Sequence, residues 1–472
     1  MRGLWSAAGL GAILTVAAAS GWLVARAAQK PSVVLVSLGA VRADVLQPWA
    51  PAAAVAGDGP VAPTLAHLCD VGICFTQAYS NAPYARAAAA TALTGGLAAE
   101  HGVRGPLDRL ASARPQLAEL FATSGYDTGA VAGSYEVDRV FGFRGFSQFD
   151  DRFYQPIVDS ARDPLPIPSL VFHDWSFALS SRLSKLTANA RKPDSTTTDS
   201  ALAFLAMHRQ RPFFLWVHYF GASPLGSLEG QVVLPPERYA ERVRQLDREL
   251  KRLVEGLVEL DLDRRVWLFV YGDAGFALFE HGEHGVAASL YESSVRVPLV
   301  VVPPREQLPT RGRRRVDTPV SLLDLAPTIT EVVELPVQVA WPVGGFARLL
   351  QSPTASLDAD RPIPLENYAP RAIPGTGVRA RENLEEKEAG GMERMRGVRR
   401  QGWKYLVTES LAPFAARVAE FPPATGRNDK KREELYDLRS DPMERNNLAS
   451  QETKVCAELN RLLPAVPSER LP

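Results

Sequence analysis

Four runs of β-branched and aromatic residues constrain the fold more than anything else in the chain. They are PSVVLVSL (31–38), PFFLWVHYF (212–220), RRVWLFVYG (264–272) and VRVPLVVVPP (295–304). Each is apolar almost throughout instead of alternating, as a strand buried on both faces must be. A sheet made of such strands needs helices over both faces, and helical patterns lie between the runs. Residues 63–72 are apolar at helical spacing, 117–133 reads as helix, Gly125 turn and strand, a helix surrounds Ser200–His208, and 238–260 is long and amphipathic. CFTQAY (74–79) adds a strand, and YARAAAATALTG (84–95) an alanine-rich helix that Gly95-Gly96 stops. Strands alternating with helices predict an α/β three-layer sandwich around a large, mostly parallel sheet. Sites in such sheets lie beyond the carboxyl ends of the strands, so the loops opening at Gly39, Gly221 and Gly272 are where chemistry is to be sought.

The ends of the chain are different. An uncharged apolar run, Gly3–Ala25, lies between Arg2 and Arg26. It is long enough to span a bilayer, and Ala25-Arg26-Ala27 also fits a small-x-small cleavage site. Residues 1–30 are therefore expected to be a signal peptide or an N-terminal membrane anchor, with the folded part exported to the cell envelope or periplasm. Residues 31–350 form the expected main domain and 351–395, rich in Pro, Arg, Glu and Gly, a linker or insertion. Residues 396–472 form a small C-terminal subdomain, with GWKYLVT (402–408) strand-like and a helix near Glu452–Leu463. Lys+Arg and Asp+Glu are both 53, so no global charge points to nucleic acid. The basic run Arg311–Arg315 reads as a solvated loop. Cys69, Cys74 and Cys456 make no disulfide framework and lack metal-site spacing, so all three are expected as buried or free thiols.

In order along the chain, several segments resemble the sulfatase family of the alkaline phosphatase superfamily. PSVVLVSLGAVRADVL is similar to the family's opening strand, PNVVLISID(D/T)LRADHL. APTLAHLCDVGICFTQAYSNAP (62–83), ALTGGLAAEHGV (92–103), AELFATSGYDTGAVAG (118–133), LYESSVRVPLVV (290–301), TPVSLLDLAPTI (318–329) and EELYDLRSDPMERNNLA (433–449) follow in family order. The resemblance implies hydrolysis of sulfuric esters. It implies a Cys or Ser converted to formylglycine, held on a divalent cation, Ca²⁺ or Mg²⁺, by carboxylates. Basic side chains bind the sulfate and a His protonates the leaving group.

Most of those groups are missing from the positions where the resemblance places them. The Asp ligands after the first strand become Gly39 and Ala40; the nucleophile falls on Ala85 and the sulfate-binding Arg on Ala89. The site Lys falls near Ser134. The Asp and second His of V-H-Y-F-D-P-H become Gly221 and Ser223, leaving His218. Of the D-H-G or D-N-G pair, Asp273 is kept and its partner is Ala274. The HGxxLY His falls on Val286, and a slip of one residue would place it on His284. Arg42 and Asp44 read as structural. A lone Asp273 cannot gather a hard cation that takes six or more oxygens, so no cofactor is expected. The expectation is a pseudo-sulfatase with a residual cavity. It would bind a small-molecule ligand or a protein partner, with Arg86 and His218 as candidate ligand-binding residues. The alternative is a sulfuric- or phosphoric-ester hydrolase with a rearranged site using Asp273, His284 and Ser223.

Overall fold

The computed structural model describes residues 30–50, 60–105, 108–111, 114–153, 191–222, 234–286, 289–307, 314–336, 339–352, 354–368, 393–410 and 431–466. The segments 1–29 and 369–392 lie outside them, as do Ser223 and Arg311–Arg313. Among the described residues no helix is long and apolar enough to cross a membrane.

Strands β1 (Ser32–Leu38), β2 (Ile73–Tyr79), β3 (Asp127–Ala132), β4 (Gln148–Asp150), β5 (Phe213–Tyr219) and β6 (Val266–Gly272) lie in one sheet. A hairpin of β7 (Ala277–Leu278) and β8 (His284–Gly285) follows, and β9 (Arg296–Val302), β10 (Arg314–Val316) and β11 (Val320–Ser321) rejoin the large sheet. Its order is β10-β2-β9-β6-β1-β5-β3-β4, with β11 beside β2. Only β9 runs against the rest. β1 sits at the centre, paired in register with β5 and β6 along its whole length, which is why its sequence has no polar face.

Helices cover both faces. α1 (Pro63–Val71), α4 (Asp194–His208) and α5 (Pro236–Glu259) pack on one side. α2 (Ala85–Thr94), α3 (Leu117–Thr123), α6 (Leu325–Val332) and α7 (Ala347–Gln351) pack on the other. All ten residues of α2 are buried. Alanine is the strongest helix former and has almost no side chain, so this helix can be enclosed on all sides. It ends at Gly95, left-handed at φ 57°, as expected.

Two expectations are corrected. Cys69 and Cys74 form a disulfide joining the last turn of α1 to the start of β2. The short reversal through Gly72 brings their Cα atoms to 4.8 Å, within bonding range, whereas Cys456 is a free, buried thiol. The stretch 351–395 is not only a connection. It supplies β12 (Ile363–Asn367), which forms a four-stranded antiparallel sheet with β13 (Glu393–Arg400), β14 (Trp403–Ser410) and β15 (Arg432–Asp437). The C-terminal helix α8 (Thr453–Asn460) packs on that sheet.

The small sheet meets the large one through a buried ionic cluster. Lys404 Nζ lies 3.1 Å from Glu292 and 2.9 Å from Glu444. Tyr79 Oη donates to Glu292 at 3.2 Å, and Glu444 accepts the Glu292 backbone N–H at 2.6 Å. Burial pushes the Glu444 carboxyl up to about 7, against the pull of Lys404. A carboxyl raised in the folded state binds its proton more tightly there than in the unfolded chain. Its contribution to stability is therefore greatest at acid pH and is lost as pH rises from the ordinary carboxylate range through about 7. Glu366, also buried and also pushed up to about 7, has the same sign. The melting temperature should fall as the buffer goes from about pH 5 to about pH 8, and Glu444→Gln should flatten that slope.

Candidate functional site at the carboxyl ends of the strands

Leu38 pairs with both Tyr219 and Gly272, so β1, β5 and β6 end side by side. This convergence brings together Gly39-Ala40, Phe220 and Asp273-Ala274. The N-terminus of α2 adds Ala85, the turn after β3 adds Glu136, and Val286 follows β8. His218 completes the lining of a cavity of about 10 Å³. That is room for about one water molecule.

Asp273 is a buried carboxylate of its lining. Its Oδ1 accepts the Ala40 N–H at 3.1 Å, and its Oδ2 lies 3.2 Å from His218 Nε2. The first bond holds Ala40 in the left-handed region, at φ 56°. Tyr239 Oη secures the same loop, donating to Ala40 O at 2.9 Å and accepting the Arg42 N–H at 3.0 Å. Arg42 and Asp44 have the structural role expected of them. The Arg42 guanidinium forks onto Asp44 with two 2.6 Å bonds and reaches Glu280 and the Phe276 carbonyl, each at 2.9 Å. Burial raises the Glu136 carboxyl above its usual range, and pushes Asp194, which accepts the Gly221 N–H at 3.4 Å, up to about 6.

Gly39 and Gly221 lie backbone to backbone. Gly39 N donates to Tyr219 O at 2.9 Å and Ala222 N donates to Gly39 O at 3.0 Å. A Cβ on Gly39 would stand 2.3 Å from Phe220 O. A Cβ on Gly221, left-handed at φ 66°, would stand 2.5 Å from Gly39 O. Neither position has room for a carboxylate side chain in this backbone arrangement.

The other expected residues are scattered. Ala89 is buried inside α2, away from the cavity lining. Arg86, expected to face the site, does not line it. Its Nε donates to Glu136 O at 2.7 Å and its guanidinium lies 3.2 Å over the Phe141 ring, because a side chain this enclosed finds an aromatic face and a carbonyl more readily than water. Burial lowers it to about 10. Ser134 is buried beside Arg191 and outside the cavity lining. His284 pairs with Leu278 through its backbone, its side chain lying outside the described residues as Ser223 does. Glu136 and Asp194 were not singled out by sequence reasoning. The strand-end rule would have flagged Glu136 had it been applied to the loop after β3 as well.

These residues do not fit a divalent cation or a formylglycine. Each Asp273 oxygen already has a protein partner, and among the described residues no group of three or more His, Cys, Asp or Glu could hold a metal ion. Ala85 has no hydroxyl or thiol to convert. The cluster can bind a water and share hydrogen bonds among Asp273, His218 and Glu136.

The comparisons with known proteins agree with the fold. The family model described as Sulfatase matches residues 31–335, and the chain belongs to that family. It is 24% identical over 298 residues to an N-acetylgalactosamine-6-O-sulfatase of Bacteroides thetaiotaomicron, covering 57% of this chain and 50% of that protein, so the match spans only half of the relative's length. A solved 2-O GAG sulfatase superposes with a TM-score of 0.63 at 17% identity, covering 92% of this chain and 91% of the other. A phosphonate monoester hydrolase of Agrobacterium radiobacter superposes with a TM-score of 0.60 at 16% identity, covering 92% and 94%.

Two substitutions test this geometry. His218→Leu strands the Asp273 carboxylate in the interior and should lower unfolding stability by about 3 kcal/mol, whereas Asp273→Asn, which keeps both hydrogen bonds, should be far milder in denaturant titrations. Gly39→Asp should lower stability by about 2 kcal/mol without creating Ca²⁺ affinity, read by melting with and without the ion.

Proposed function

We propose that this sulfatase-family protein no longer hydrolyses esters and acts by binding. The observation that carries this reading is the closure of Gly39, where the resemblance places an Asp ligand, against Gly221, where it places the Asp of V-H-Y-F-D-P-H: the backbone leaves no room for a Cβ at either. Ala85 and Ala274 stand where the nucleophile and another ligand would be, and both line the small cavity. Loss of one catalytic group alone typically lowers a rate by two to four orders of magnitude, roughly, and here nearly the whole set is replaced. A cavity of about 10 Å³ argues against a small ester at the strand ends, since ligand sites usually offer some 300 Å³ or more.

The reading includes export. The buried Cys69–Cys74 disulfide suits an oxidising compartment, and the apolar run Gly3–Ala25 supplies a signal or an anchor. The test uses the purified full chain. Incubation with Ca²⁺, Mg²⁺, Mn²⁺ or Zn²⁺ should leave the melting temperature unchanged, and neither an aryl sulfate nor an aryl phosphate should turn over. A metal-dependent rise in melting temperature together with turnover would instead establish a rearranged hydrolase.

A further inference from the structure

The strands β1, β2, β5 and β6 all begin at the pole opposite the cavity. Helices α1, α4 and α5, which lead into β2, β5 and β6, end there. On or beside their last turns sit three of the large apolar side chains that remain exposed: Val71 (37%), Met207 (70%) and Val258 (56%). α5 packs against both α1 and α4, and all three helices end at this pole. Single exposed apolar residues need no explanation, but three gathered at one pole do.

Basic groups rim the same pole. Lys30 Nζ reaches Ser124 O at 3.2 Å, and the Arg265 guanidinium bonds to the carbonyls of Arg211 and Arg209. The acids among them are matched: Asp127 by His208 at 2.8 Å and Arg211 at 3.3 Å, Asp261 by Arg264 at 2.7 Å, and Asp263 by Arg305 at 3.3 Å. Asp261 is exposed as well, Glu306 lies 3.9 Å from the same Arg264, and Glu259 is the other exposed acid here. Lys30 lies two residues ahead of β1, and the uncharged run Gly3–Ala25 ends only five residues before it. Five extended residues reach at most roughly 18 Å.

We propose that this pole rests on an anionic bilayer surface. Met207, Val258 and Val71 sit among the headgroups, Lys30, Arg209 and Arg264 meet lipid phosphates, and the cavity points away from the membrane. The proposal rests on Gly3–Ala25 being retained as an anchor. Burial of exposed apolar side chains and attraction of basic ones to acidic lipid act together at such interfaces. β1 alone, seven residues long, separates the cavity from the membrane by roughly 23 Å.

The experiment reconstitutes the full chain in phosphatidylcholine vesicles with and without phosphatidylglycerol. A fluorophore is placed at Met207→Cys or at Phe279→Cys, which lies beyond the far end of β6, and is quenched by headgroup spin-labelled lipid. Quenching should be roughly threefold greater at position 207 than at 279, greater still with phosphatidylglycerol, and reduced by Arg209→Glu with Arg264→Glu. All substituted positions are exposed, and unchanged melting confirms folding. Equal quenching at the two positions in floated vesicles overturns the orientation, and an effect indifferent to lipid charge overturns the basic contacts. Failure to float with vesicles overturns the anchor itself, and this proposal with it, while leaving the loss of hydrolysis untouched.

Discussion

The arrangement of the site depends on how closely the ends of β1 and β5 approach. Gly39 exchanges backbone hydrogen bonds with Tyr219 and Ala222, on either side of Gly221, at a separation that no side chain would tolerate. A side chain at either position would hold the two strand ends apart; with glycine at both, the backbone closes. The cavity that remains is the gap left between neighbouring loops.

Asp273 shows what such a change requires of the residue left behind. A buried carboxylate without a counter-charge or hydrogen bonds is prohibitive. Here Ala40 N–H and His218 supply the bonds, so the loop after β1 and the end of β5 are tied to the end of β6. One side chain thus holds three strand ends together from within. The alanines of α2 complete the closure by letting that helix sit fully buried against the site.

The central strands were legible in the sequence because β1, β5 and β6 are buried on both faces and carry unbroken apolar runs. The helix α2 and its stop at Gly95 were legible from alanine content and glycine alone. The antiparallel direction of β9 was not, since VRVPLVVVPP reads the same either way and direction is set by the connections. The Cys69–Cys74 bond was missed because spacing says nothing about the reversal at Gly72 that brings the two together. β12 was hidden in a stretch of linker-like composition, where only pairing with β13 gives IPLEN its structure. Within the site, the replaced positions were readable from the resemblance, and the structure brings Gly39, Ala40, Ala85, His218, Asp273 and Ala274 around one cavity. The inward role of Arg86 was not readable correctly, because the Phe141 face that captures it comes from a distant loop.

The sheet thus has two unlike ends. At one, loops close over a carboxylate held by its neighbours; at the other, apolar and basic side chains surround the point where the chain enters. Crystals grown in Mn²⁺ and examined by anomalous scattering address the central claim most directly. A closed, cation-free site predicts no anomalous peak beside Asp273 and a short Gly39–Tyr219 backbone hydrogen bond. A strong peak ligated by Asp273, Glu136 and further side-chain oxygens, with the ends of β1 and β5 drawn apart, would contradict it.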